Sequence, residues 1–219
     1  MSSRAEELKD KVTADFETGK KAFHDAMTKA QSQIDVTTNE IHRLRAELKT
    51  QNAEARGKAM ARLDELAKSL DETRKEQQHK IEARLKELHA AIDSLNAELK
   101  HATAEGKAFA ETRAKSVREE YDSARSALNA SLDAELAEWK ARIGTAIETS
   151  AEEKEDAKAA VQAKIAELHA KHEAAQKKLH ALKQANASAF VELHRGVKTA
   201  IADVATAVRH ARAEIAKTS

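Results

Sequence analysis

Ten histidines are spread along a chain without cysteine, so any metal or proton chemistry here must be carried by imidazole and carboxylate groups. His169 and His172 stand three residues apart, a spacing that can turn two imidazoles toward one metal from a single helix. His172, however, lies on an apolar stripe and the pattern offers no third ligand, so packed helix histidines are the better reading. Glu76-x-x-His79 and Glu98-x-x-His101 copy the Glu-x-x-His element of di-iron bundles. That site needs the two motifs on different helices facing inward, with two further glutamates. Here both fall in one helical stretch, and Glu98 and His101 lie off its Leu95/Leu99 stripe. Solvated helix surface accounts for them. No nucleophile–base arrangement, glycine-rich phosphate loop or paired buried carboxylate emerges. The sequence nominates no catalytic residue, no cofactor site and no metal site, and the chain reads as a non-enzyme.

The elements that would hold such residues are long helices. There is no proline in 219 residues, only five glycines, 34% charged residues and 3% aromatics. Such a composition, rich in Ala, Glu, Lys, Leu and Arg, belongs to long-helix and coiled-coil proteins. Few side chains are large enough to fill a thick core, whereas Ala, Leu, Ile and Val suit thin helix-on-helix seams. Formal net charge is +1, with both signs interspersed, so the chain lacks the basic stripe that neutralises phosphates and nucleic acid is not expected as a partner. The N-terminus has no apolar signal core and no stretch approaches ~18 consecutive apolar residues. A cytoplasmic protein is expected.

The clearest stripe runs from Val161 through Ile165, Leu168, His172, Ala175, Leu179 and Leu182, at alternating steps of four and three. Phe190, Val197, Val204 and Ala211 follow at steps of seven, interleaved with His194, Ile201, Val208 and Ile215. That spacing puts every member on one side of a helix, which must be buried against another. Upstream, Met27, Ile34, Ile41 and Leu48 are seven apart and continue in phase across Val36-Thr37-Thr38, which favours an unbroken helix over a capping box at Thr37. Ala61-Arg62-Leu63-Asp64-Glu65-Leu66 returns 22 residues later as Ala83-Arg84-Leu85-Lys86-Glu87-Leu88, and again as Ala163-Lys164-Ile165-Ala166-Glu167-Leu168. Val117, Leu128 and Trp139 are spaced by elevens, as are Tyr121, Leu132 and Ile143. An 11-residue period straightens a seam or twists it right-handed. Asp71 to Lys80, with no apolar side chain, reads as solvated helix.

Turns are expected near 50–57, 101–107 and 144–150, where Gly57, Gly106 and Gly144 stand. Thr149 and Ser150, each with Glu three residues on, form a doubled capping-box signature. A one-residue slip of the stripe marks a further candidate turn at 185–188. The expected fold is all-α: long antiparallel helices in a coiled-coil-like bundle, one elongated domain over 1–219, with a parallel homodimer of longer rods as the alternative.

The C-terminal third carries a family likeness. Leu136, Trp139 and Ile143 are followed by Ile165, Leu168, Ala175, Lys178, Leu179, Leu182 and Lys183, then Ala189-Phe190, Leu193, Gly196-Val197 and Ala200. This resembles small uncharacterised bacterial coiled-coil proteins, some of them stress-associated. Their pattern runs from a tryptophan helix through a long Lys/Glu/Ala helix to an aromatic-x-x-Leu-x-x-Gly-Val helix, often with Trp where Phe190 stands. The resemblance carries over no catalytic residues. Function is expected to be structural: self-association, or binding of another helical protein. An amphipathic coat on a lipid or polymer-granule surface is the alternative.

Overall fold

The computed structural model describes residues 2–48, 53–150 and 155–218. Five helices account for nearly all of them: α1 (Ser2–Leu48), α2 (Ala53–Leu99), α3 (Ala104–Ser150), α4 (Glu155–Gln184) and α5 (Ala187–Thr218). No strand occurs among the described residues, and the fold is all-α. The chain divides into two compact units, Met1–Leu128 and Asn129–Ser219. α3 gives its first part to one and its last part to the other.

The helix ends correct the expected turns. Gly57, Gly106 and Gly144 all lie inside helices. A glycine inside a helix costs about 1 kcal/mol relative to alanine, too little to stop a helix that carries a long buried ladder. The turn near 101–107 falls at 100–103, where the Lys100 and His101 amides donate to Ala97 and Glu98 carbonyls and Thr103 accepts the first α3 bond from Lys107 at 2.8 Å. The turn near 144–150 is absent from that interval, because α3 runs on to Ser150. Residues 49–52, and Glu152 and Glu153 of the capping signature, lie outside the described residues. The turn at 185–188 is real. Asn186 caps α5, its Oδ1 accepting the Ala189 amide at 3.0 Å while its carbonyl takes the Phe190 amide. Helix α1 passes through 36–38 unbroken, and the Thr37 hydroxyl donates back to the Gln33 carbonyl instead of capping.

Burial shows which period each helix uses. On α2 the buried ladder is Ala59, Leu63, Leu66, Leu70, Arg74, Gln77, Ile81, Leu85 and Leu88, stepping four-three-four. On α3 it is Ala110, Ala114, Val117, Tyr121, Leu128, Leu132, Leu136, Trp139 and Ile143, with half-buried Arg125 on the same line. Both repeat every eleven residues. Helices α1, α4 and α5 keep the seven-residue period, through Ile34, Ile41, Leu48; Leu168, Ala175, Leu182; and Phe190, Val197, Val204, Ala211. A longer register also emerges. Leu66, Val117 and Leu168 are buried at a 51-residue shift, as are Leu70, Tyr121 and His172, and Gln77, Leu128 and Leu179.

Neighbouring helices run antiparallel. In the first unit α2 packs on α1, with Arg62 bonded to Glu40 and Gln77 to Gln31. Arg84 of the same helix reaches Glu120 of α3, and Arg118 of α3 reaches Asn96 at 2.9 Å. In the second unit α4 packs on α5. On its other side Lys183 pairs with Asp133 of α3, and His172 contacts Leu136.

Candidate functional site

The groups with chemical potential lie inside the seams. Glu120 sits on α3 one residue before Tyr121 of the ladder, its side chain 1% exposed. Its Oε1 accepts two hydrogen bonds from Arg84, from Nε at 2.8 Å and Nη2 at 2.6 Å. The Arg84 guanidinium also donates to Glu87 at 3.1 Å and lies 5.6 Å from the Phe16 ring centroid. One side chain thus touches three helices. Gly19 lies beside it: a Cβ there would stand 3.7 Å from Arg84 Nη1, an ordinary contact. Charge-assisted bonds of this kind are short and directional, so they fix which residue faces which.

The second unit has a counterpart. Glu138 is buried and accepts from Arg142 Nε at 3.1 Å, while the guanidinium lies 4.2 Å from the Trp139 ring centroid. His172 is buried, and its Nε2–H donates to the Leu136 carbonyl at 2.9 Å. A carbonyl can only accept, so Nε2 carries hydrogen. Arg74, Gln77 and Gln78 complete the buried polar set on α2.

The histidine pairs of the sequence separate in space or in environment. His169 is exposed while His172 turns inward to a carbonyl, so the two rings do not converge. Glu76 is exposed and bonded to Lys80 at 2.7 Å, which holds its carboxyl below the ordinary range. His79 and His101 are exposed, and Glu98 accepts from Ser94. The two Glu-x-x-His motifs are 22 residues apart along α2 and its C-terminal turn, about 33 Å of helix rise, too far to share one site. No group of three or more His, Cys, Asp or Glu positioned for a metal occurs among the described residues.

No family model, curated protein or solved structure matches the chain.

What the sequence misplaced is the stretch Asp71 to Lys80. It is helical, as expected, but not wholly solvated: Arg74 and Gln77 bridge the ladder between Leu70 and Ile81. The signal was in the spacing, since 70, 74, 77 and 81 keep the four-three-four step when polarity is ignored. Outside the seams the surface is laced with short-range ion pairs. Lys171 and Lys164 flank Glu167 and hold its carboxyl below the usual range, and the hydrogen bonds of Arg62 to Glu65 and Glu40 raise its guanidinium further. Burial pushes the Tyr121 hydroxyl up. The arrangement can hold helices in register. No helix among the described residues is long and apolar enough to cross a membrane.

Proposed function

We propose that this protein is a non-enzymatic structural scaffold of the cytoplasm, acting through helix faces that associate with another copy or with another helical protein. The observation that carries the reading is the polar content of the seams. Arg74, Gln77, Glu120, Glu138 and His172 lie on the same faces as the leucines. Across a seam, Arg84 reaches Glu120 and Gln31 reaches Gln77. Spread on lipid or a polymer granule, those faces would bury the same groups in hydrocarbon without the opposite helix, at a cost of several kcal/mol for a charged group. The coat reading is therefore the weaker one. The stress-associated helical proteins that the C-terminal third resembles are the guide to biological setting.

Vesicle flotation with hydrogen exchange tests this. The full chain is expected to stay with the soluble fraction, with amides of the α2 and α3 ladders protected whether or not anionic vesicles are present. Flotation with loss of that protection would replace the scaffold with a surface coat.

A further inference from the structure

Helix α4 ends at Gln184 and α5 starts at Ala187, yet the 51-residue register runs through the reversal between them. On α3 the line Val117, Tyr121, Leu128, Leu132, Trp139 and Ile143 advances by four, seven, four, seven and four. At the 51-residue shift, Leu168, His172, Leu179, Lys183, Phe190 and His194 repeat those steps, four of them on α4 and two on α5. Lys183 is the one exposed member of that line. On α2 the line is Leu66, Leu70, Gln77, Ile81, Leu88 and Ile92. In α2 and α3 it lies on one unbroken helix, and residues 185–186 correspond to 83–84 and 134–135, both in mid-helix. The slip of one residue between Leu182 and Phe190 exists only on the seven-residue count. On the eleven-residue count Leu168 to His194 stays in phase. The stretch Glu155 to Thr218 thus carries the pattern of one straight helix and folds as a hairpin.

The reversal is made by residues that a helix accepts. Ala185 and Asn186 form it without glycine or proline. No positive φ occurs among the described residues, whereas many helix ends use a left-handed residue. Asn186 holds the bend by capping α5 through the Ala189 amide. Straightening forfeits that cap and closes helical bonds across 185–186 in its place. It also strips α4 of α5, and leaves two apolar stripes uncovered.

We propose that α5 is an exchangeable arm: residues 185–186 straighten, and two copies pair antiparallel with α5 of each lying on α4 of the other. The occupant follows from the seam. The α4 stripe of Leu168, Ala175, Leu179 and Leu182 and the α5 stripe of Phe190, Val197, Val204 and Val208 are buried in one chain, where α4 packs on α5. A second copy rebuilds that same seam twice, about a twofold axis at the hinge. The proposal rests on the scaffold reading and names one partner within it.

The test combines sedimentation velocity with a spin-label distance on the full chain. Native cysteine is absent, so Ala163→Cys and His210→Cys, both at exposed positions, label one helix each. In the hairpin the labels ride on adjacent antiparallel helices, under about 30 Å apart. In the straight helix, 47 residues of rise put them about 70 Å apart. Diluting labelled chains in an excess of unlabelled ones makes the distance an intrachain one. As concentration rises to about 100 µM, the parent is expected to pass from the 24.0 kDa monomer with the short distance to a dimer with the long one. Asn186→Ala removes the cap and inserts the best helix former. It is expected to tighten the dimer by about 25-fold, roughly fivefold at each of two hinges. Ala187→Pro suits the first turn of α5 but is excluded from the interior of a straight helix, and is expected to stay monomeric with the short distance alone. An Asn186→Ala chain that is monomeric at every concentration overturns the exchange and leaves the scaffold free to bind another protein. A dimer that keeps only the short distance overturns the exchange while preserving self-association. An Ala187→Pro dimer with the long distance overturns the helical hinge.

Discussion

Replacing Glu120 by alanine deprives Arg84 of its buried acceptor. The Arg84 side chain is 14% exposed and that of Glu120 is 1% exposed, so neither is well solvated in the folded chain. Breaking a fully buried pair costs about 3–5 kcal/mol, because the surviving charge remains desolvated. Here Arg84 retains its bond to exposed Glu87 and its place beside Phe16, which lowers the expected cost of Glu120→Ala to about 2–4 kcal/mol. The double variant Arg84→Met/Glu120→Leu fills the same space without charge, and should fall within about 1 kcal/mol of the parent. Urea denaturation followed by circular dichroism at 222 nm reads both. Two compact units make separate transitions possible, so the loss is to be read from the transition that shifts. If Glu120→Ala costs under about 1 kcal/mol, or the double variant is as damaged as the single, the pair is not the desolvated junction described.

Other consequences can be measured more briefly. Gly57, Gly144 and Gly196 are helical with nothing within 4 Å of an added Cβ, so alanine at each should stabilise by about 0.5–1 kcal/mol, read as a raised Tm. A glycine change that destabilises would mean a close contact at that site. His172→Ala should cost about 2–3 kcal/mol through the cavity and the lost bond to Leu136, and His172→Leu less than about 1, since the carbonyl retains its helical partner. Equal losses in urea melts would contradict the packed position. The Glu167 carboxyl is held low by Lys171 and Lys164, so its contribution to stability is present above the unfolded carboxylate value and is lost as pH falls through the lower folded one. Glu167→Gln should therefore flatten the acid limb of stability against pH, and an unchanged limb would show the pairing to be without effect.

The helical class and the seams could be read from spacing because burial in a long helix is set by angular position. Leu63, Leu66, Leu85 and Leu88 marked the α2 face, and Val117, Leu128 and Trp139 marked the α3 face. The turns were harder. Gly57, Gly106 and Gly144 look like stops in isolation, but a local penalty near 1 kcal/mol yields to the long ladders that start at Ala59 and Ala110 and run as far as Ile143. Asn186 was legible because its side chain acts on its own backbone. The interior polar groups were hidden for a different reason. Arg74, Gln77 and Glu120 are surface residues by type, and only a partner distant in sequence makes them interior. Arg84 and Glu120 are 36 residues apart, beyond any local pattern.

The 51-residue shift constrains how such a chain can change length over generations. One repeat is one helix and one reversal of direction. Adding or removing a single repeat turns all the later helices over together, so they keep their packing on one another and only the junction at the changed repeat meets a new neighbour. Two repeats, 102 residues, restore the polarity. Tandem gain or loss is thus subject to parity at one place: an even step returns the same polarity to that junction, and an odd step sets a reversed helix against it.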